Sequence, residues 1–298
     1  IPTGIDKIDE KDILNGGLGK GEIGVITAPT GVGKSHMLVN LGCAAIKNGF
    51  NVIHYTFELT ETATGLRYDS NICQIPSNQV PERKEEVIEY YKEHGEKLGK
   101  LMIKEYPTGT ATVQTLRSHI EKLSLKGFIP QVLIIDYADI MRSSRQYDSM
   151  RHELKKVYED LRNLAMEKNL PIWTASQSNR DSANSDIVGL ENMAESYGKA
   201  QVADVVISIS RKPAEKAEGF GRLYIAKNRA GRDGIVFPVK LNTAMSRFSI
   251  LENSEEMSFM EAKKKNEGDL KALLQKKWKQ VSKVEVKNNN NEKEEGES

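Results

Sequence analysis

Cysteine is scarce. Cys43 and Cys73 are the only two in 298 residues, and their number and spacing suggest neither a disulfide scaffold nor a zinc site. Aromatic residues make up 6% of the chain. None alternates with basic residues along a predicted strand, so a base-stacking platform is not indicated. No apolar run approaches the roughly eighteen residues of a bilayer-spanning helix. Net charge is also lacking: 43 Lys and Arg oppose 42 Asp and Glu, leaving +1. No global field therefore draws the chain to a polyanion, and any nucleic-acid site has to be a local basic feature. The first residue is Ile1 rather than Met, so the segment is expected to begin inside a longer chain, and no targeting sequence can be judged. What remains is 38% apolar and 29% charged, which suits a well-charged surface over one large α/β core.

The chain is organised around 23–38, IGVITAPTGVGKSHML. A β-branched run (Val25, Ile26, Thr27) leads into a loop, and a helical pattern runs from Met37 to Ile46. This strand, loop and helix read as a phosphate-binding loop, although Ala28 stands where the pattern usually has Gly. Thr30, Gly31, Val32, Gly33, Lys34, Ser35 and His36 are the nucleotide-binding candidates. Backbone N–H groups of the loop and helix start point at phosphates. Lys34 supplies a point charge for the β- and γ-phosphates, and the Ser35 hydroxyl a ligand for Mg²⁺.

Strand patterns recur at Asn51–Phe57, Leu101–Tyr106, Val132–Asp136, Pro171–Ser176 and Val205–Ser210. Helical patterns fall at Thr60–Cys73, Pro81–Gly95, Thr112–Leu125 and Leu154–Lys168. Gln177–Gly189 is polar and reads as a loop. Two adjacent strands, Gly221–Lys227 and Ile235–Asn242, close the pattern. The expected fold is α/β: a mostly parallel sheet, helices on both faces and a C-terminal antiparallel edge. The helix around Glu86–Tyr91 reads as an insertion. Beyond Leu251 the character changes, so residues 1–251 are expected to form one domain and 252–298 an extension. That extension carries an amphipathic basic helix at about 268–281, with Leu270, Leu273, Leu274, Trp278 and Val281 against Lys271, Lys276, Lys277 and Lys279. The Asn/Lys/Glu-rich tail after it is expected to be disordered.

Four further positions carry chemistry. Asp136 ends VLIID, the place of a carboxylate serving the Mg²⁺ shell. Glu58 ends the neighbouring strand and can orient or deprotonate an attacking water, with Glu61 and Asp139 as competitors. Gln177 follows PIWTAS, where a neutral amide could sense the γ-phosphate. Lys227, Arg229 and Arg232 in AKNRAGRDG suit either an arginine finger or a nucleic-acid phosphate contact. Asn179, Arg180 and Lys199 lie in Ser/Asn/Gly-rich surroundings that could offer donors to a DNA backbone.

APTGVGKS, YTFELT, VLIIDYADIM, LAMEKNLPIWTASQSNR, MAESYGKAQVADVV and YIAKNRAGRDG occur in that order. Together they resemble the motor domain of the DnaB-type hexameric replicative helicases. KEYPTGTAT and AESYG are similar to the forms in T4-like phages. The resemblance spans roughly Ile1 to Leu251. It implies a RecA-like P-loop NTPase fold that hydrolyses ATP or another NTP with Mg²⁺. It further implies 5′ to 3′ movement on single-stranded DNA through a hexameric ring. An amino-terminal domain and linker helix would precede Ile1, and a primase and a helicase loader would be partner classes. No membrane is implied, and the setting would be a phage replisome in the host cytoplasm.

By the same resemblance Lys34 and Ser35 hold phosphate and metal, Glu58 is the catalytic glutamate, Asp136 the metal carboxylate and Gln177 the phosphate sensor. Lys227 and Arg229 act on the adjacent subunit's nucleotide. Glu195 and Ser196 lie in the DNA-following pore loop, with Arg180, Gly198 and Lys199 as further DNA-binding candidates. Ala194 replaces an arginine frequent in the family, and Lys199 or Arg180 is expected to compensate. The alternative is a RecA-like recombinase or a regulatory or scaffold ATPase without unwinding activity.

Overall fold

A computed structural model describes residues 1–179, 185–193 and 197–251. Period-two alternation in the strands divides their side chains between two cores. In β1 (Ile23–Ala28), Ile23 and Val25 enter one cluster while Ile26 and Ala28 enter the other. The same split occurs in β2 (Val52–Thr56) and β4 (Val132–Asp136): Val52 and Ile134 face one way, Ile53 and Leu133 the other. A sheet apolar on both faces has to be covered on both. Helices α1 (Lys34–Lys47) and α2 (Glu61–Cys73) contribute to the first cluster. On the other face lie α4 (Val113–Leu125) and α5 (Met150–Lys168). Between α2 and α4 come α3 (Lys84–His94) and β3 (Leu101–Glu105). Val87 of α3 joins Ile75 and Val80 in a small satellite cluster, as an insertion would.

The chain continues through β5 (Ile172–Gln177), α6 (Tyr197–Val202), β6 (Val205–Ser210), α7 (Pro213–Ala217), β7 (Phe220–Asn228), β8 (Val236–Asn242) and β9 (Arg247–Ile250). Among the described residues the strands form one sheet, β3-β2-β4-β5-β1-β6-β7-β8-β9. Pairing is parallel from β3 to β6 and antiparallel from β6 to β9. The parallel order brings the C-terminal ends of β1, β4 and β5 to one edge, where a crevice for a ligand belongs. β1 sits in the middle, and Ala28 at its end lies opposite Gln177 of β5.

The structure revises several boundaries. Gln177 closes β5 instead of opening a loop. Helix α5 starts at Met150, a turn before its apolar stripe begins at Leu154. Leu154, Val157, Leu161, Leu164 and Ala165 of that stripe are all buried, each leucine contributing roughly 2 kcal/mol. The antiparallel edge has a third strand, β9, and α7 is an extra short helix. The amphipathic helix expected at about 268–281 and the polar tail lie outside the described residues.

His54 in β2 is wholly buried, with Nδ1 3.0 Å from the Tyr68 hydroxyl and Nε2 unpartnered among the described residues. Burial, and then the nearby Arg67 charge, pushes its imidazole down to about 3. Between the ordinary histidine value and that lowered one, the unfolded chain takes up a proton that the folded chain refuses. Stability is therefore fully present above the ordinary value and is lost as pH falls, by up to ~1.4 kcal/mol per pH unit. Thermal unfolding followed from pH 7 to 4.5 is expected to show this fall, and His54→Gln to flatten it. An unchanged slope in the variant would assign the acid sensitivity to other groups.

Candidate nucleotide site

The loop after β1 is shaped by two glycines in the left-handed region. Gly31 has φ 72° and Gly33 φ 127°, conformations that side chains disfavour. A Cβ at Gly33 would also lie 2.8 Å from Leu241 Cδ2, so the loop presses on β8. Gly33 caps α1 without a side-chain bond, and the first turn holds no acidic residue. The helix thus starts with open N–H donors and an unopposed dipole, an arrangement that attracts anions. Lys34 folds back over the loop, its Nζ donating to Ala28 O and Pro29 O at 3.2 Å each. Burial pushes its ammonium below the usual lysine range, while Glu58, Asp136 and Asp139 pull it upward.

A cleft of about 270 Å³ opens over this loop. Thr30, Gly31, Gly33, Lys34, Ser35 and His36 line it, together with Glu58, Leu59, Arg67, Tyr137 and Gln177. Val32 differs from the other loop candidates: its side chain is 6% exposed and joins the core, which leaves only its backbone for a ligand. His36 Nδ1 is 2.9 Å from Ser246 Oγ in the turn before β9. Burial, with Arg67 and Arg211 nearby, lowers its imidazole to about 4 and keeps it neutral.

Asp136 lies beneath the cleft, 2% exposed, at the end of β4. The Ser35 side chain acts to lower its carboxyl pKa, and Oδ1 has no partner among the described residues. Burial first, then the Glu58 charge, pushes this carboxyl up to about 6, against the pull of Ser35, Arg67 and Lys34. A buried carboxylate with an unused oxygen beside a serine hydroxyl fits a hard divalent cation that takes its remaining ligands from phosphate and water. No cluster of three metal-ligating His, Cys, Asp or Glu occurs among the described residues.

Of the competing carboxylates, Glu61 accepts from Lys104 Nζ at 3.2 Å and Glu105 N at 3.1 Å, away from the cleft. Asp139 is committed as well. Its Oδ2 accepts from Lys199 Nζ (2.9 Å), Ser176 Oγ (3.0 Å) and Gln177 N (3.1 Å), and its Oδ1 from Tyr158 (2.7 Å). Glu58 is exposed on the cleft rim. It sits just before Thr60, whose side chain accepts from Ala63 N and caps α2. Gln177 Nε2 donates to Thr30 Oγ1 at 2.9 Å, so the amide already touches the loop.

Arg67 was not foreseen. It projects from α2 into the cleft, and the Asp136 charge offsets the lowering of its guanidinium by burial. The signal was faint: a lone arginine in a helix that starts just after Glu58.

Lys227 and Arg229 do not join the cleft. Lys227 pairs in register with Val206 at the start of β6, which runs parallel to β1. Both cations therefore sit at the sheet edge opposite the loop. Lys227 Nζ donates to the carbonyls of Ala200 (2.7 Å), Gln201 (3.2 Å) and Ala203 (2.6 Å). Arg229 donates to Gln201 O at 2.8 Å and pairs with Asp204 at 3.3 Å. Arg232 is exposed and pairs with Asp12 at 3.0 Å.

Lys199 requires a correction. It is 0% exposed, and its ammonium is consumed by Asp139 and Ser176. It is not placed to meet DNA or to compensate for Ala194. Polar neighbours in sequence suggested a surface lysine, but Asp139, distant in sequence, draws it inward. Gly198 is the second residue of the same helix and is half-buried. Arg180, Glu195 and Ser196 lie outside the described residues.

Residues 1–250 match the family model described as the DnaB-like helicase C-terminal domain. The chain is 32% identical over 206 residues to the DnaB-like replicative helicase of Enterobacteria phage T4, covering 66% of this chain and 43% of that protein. It spans about half the length of the curated relatives it matches. Among solved structures, one ATPase domain superposes with a TM-score of 0.73 at 18% identity, covering 85% of this chain and 91% of that one. A DnaB-like replicative helicase, studied with its interactions with primase, gives 0.72 at 18% identity, covering 85% and 62%. These likenesses establish the RecA-like fold.

The raised Asp136 carboxyl yields a two-part expectation. The folded state holds this proton more tightly than the unfolded chain, so the charged form at pH 8 works against folding. Asp136→Asn should melt higher than the wild type at pH 8 in chelator, by an amount on the order of 2 kcal/mol. It should also lose most of the extra melting shift that magnesium adds to a bound nucleoside triphosphate. A magnesium shift equal to the wild type's would remove Asp136 from the cation site.

Proposed function

The chain belongs to the DnaB-like helicase C-terminal domain family, and from this we propose that it is the ATP-driven motor of a replicative DNA helicase. It would move 5′ to 3′ on single-stranded DNA and unwind duplex as a hexameric ring. One observation carries the reading: the loop, Asp136, Glu58 and Gln177 meet at one sheet edge, while Lys227 and Arg229 stand at the other.

The chemistry follows from that placement. Loop N–H groups and Lys34 bind the β- and γ-phosphates and spread their charge. Ser35 and Asp136 would hold Mg²⁺, which when bound neutralises charge on the phosphate oxygens. Glu58, on the rim, orients the attacking water and takes its proton. Arg67 adds a fixed positive charge from the side. Gln177, already bonded to Thr30, exchanges that bond for one to the γ-phosphate and so registers its presence. Lys227 and Arg229 face away from their own nucleotide and would complete the site of an adjacent subunit, as an arginine finger supplied in trans does.

Single-stranded DNA and further copies of the chain are the proposed partners. A primase is a partner class, supported by the solved relative described with one, and a loader is the expected further class. The pore-loop role of Arg180, Glu195, Ser196 and Gly198, and an extension over 252–298, belong to the same proposal. No helix among the described residues is long and apolar enough to cross a membrane. The T4 relative supports action in a phage replisome in the host cytoplasm.

ATP hydrolysis with and without single-stranded DNA tests this. DNA is expected to stimulate turnover. Glu58→Gln should lower turnover at least about 100-fold, and Arg229→Ala by a similar factor, each with nucleotide affinity within about twofold of wild type. Turnover indifferent to DNA would favour a regulatory or scaffold ATPase. Wild-type turnover in Arg229→Ala would end the trans assignment.

A further inference from the structure

Lys199 is fully buried, and a charge in that position is costly unless paired and hydrogen-bonded. Its partner Asp139 is the group that also accepts the Gln177 N–H. Lys199 further donates to Ser176 Oγ at 3.0 Å and lies 5.9 Å from the Tyr158 ring centroid. One end of this network thus fixes the backbone that presents Gln177 to Thr30 in the loop. The other end is α6, the short helix that carries Lys199.

The C-terminal carbonyls of α6 and the turn after it are occupied in an unusual way. Lys227 takes those of Ala200, Gln201 and Ala203, and Arg229 shares that of Gln201. Arg162 takes Val202 O at 2.8 Å and pairs with Asp204, which also holds Arg229. A single helical turn and a half therefore contacts both ends of the molecule's chemistry. Lys199 reaches the residue assigned as cis nucleotide sensor, and the C-terminal carbonyls anchor the two cations assigned to a neighbour.

We propose that the Lys199–Asp139 pair is a positioning element through which α6 couples Gln177 of one subunit to the Lys227 and Arg229 that the same subunit offers to its neighbour. The proposal rests on the trans assignment of those cations. When Gln177 trades Thr30 for a γ-phosphate, its backbone N–H shifts on Asp139. Lys199 follows its carboxylate partner, and the carbonyls holding Lys227 and Arg229 move with α6. Lys227 cannot bond three carbonyls and a neighbour's phosphate at once, so the position of α6 sets its availability. Neutral side chains at both positions would keep the packing and break the link, because removing both partners of a buried pair is far milder than removing one.

The test uses the full-length ring and three variants: Lys199→Met, the double Asp139→Asn/Lys199→Met, and Arg229→Ala. Hydrogen exchange is read at 197–204 with and without Mg²⁺ and a non-hydrolysable ATP analogue, beside nucleotide affinity, melting and DNA-stimulated turnover. In the wild type, nucleotide is expected to change exchange across α6. Lys199→Met and the double variant should lose that response and about tenfold in turnover, with affinity within about twofold. The double variant should melt near the wild type, which separates lost coupling from lost folding. Wild-type turnover and α6 response in the double variant would overturn the proposal. So would a response lost in Arg229→Ala but kept in Lys199→Met, which would place the trigger in the neighbour's site. A wild type whose α6 responds to nucleotide but whose turnover ignores DNA would refute the motor reading while leaving the coupling standing.

Discussion

The register of β1 against β5 is the constraint on which the site depends. Ala28 stands opposite Gln177, and from that pair the loop leaves on one side and the sensor amide projects on the other. A slip of one residue would turn every side chain of β1 to the wrong face, sending Ile23 and Val25 into the cluster of α1 and Ile26 and Ala28 into that of α4 and α5. Both faces are packed, so no such slip is tolerable. The hydrophobic effect acting on β1 therefore sets the distance between Thr30 and the Gln177 amide. Chemistry inherits its precision from packing, and the loop adds to it two glycines with positive φ.

Around this frame the molecule carries charges that a purely structural core would omit. Asp136 is ionised only against its burial, Lys34 is partly desolvated, and the fully buried Lys199 meets a largely shielded Asp139. Burying such groups costs free energy that paired geometry returns only in part. A phosphate with its cation would reverse the balance. Negative oxygens favour the charged Lys34, and a cation favours the charged Asp136. On the proposed reading, a bound phosphate and cation would offset the cost of holding these groups, which would tie binding energy to the residues that read the ligand.

Much of this was legible in the chain. The loop was visible because a β-branched run, two glycines and Lys-Ser obey local rules. VLIID was visible because a strand buried on both faces leaves only its last residue free to be polar. The alternation of patterns made the parallel sheet with its antiparallel edge readable, and the order of six motifs pointed to the family. The failures share a different cause. Lys199 looked like a surface group because its partner lies 60 residues away in sequence. Arg67 was invisible because its role depends on how α2, packed against α1 and β3, presents it to the cleft. Strand β9 was missed because Arg247–Ile250 is too short to show a period. Local chemistry is written in neighbours, whereas partnership across the fold is not.

The sheet gives this chain two chemical edges. Among the described residues, the edge at the end of β1 carries the loop and carboxylates of the proposed nucleotide site, and the exposed Lys216 Nζ comes within 3.5 Å of where a Cβ on Gly31 would lie. Lys34 is wedged against its own loop, and Arg67 sits beside Asp136. The edge at the start of β6 gathers Lys227, Arg229 and Arg162, which rest on helix carbonyls and Asp204. A helix C-terminus is a natural parking place for cations, since its carbonyls carry partial negative charge. It is also weaker than a phosphate as a partner, so the cations rest there at little cost and can be recruited elsewhere. On the proposed reading the two edges would meet between copies: the start of β6 of one copy set against the loop of the next would bring Lys227 and Arg229 to a neighbouring site, and repeating that head-to-tail contact would close into a ring when its rotation allows.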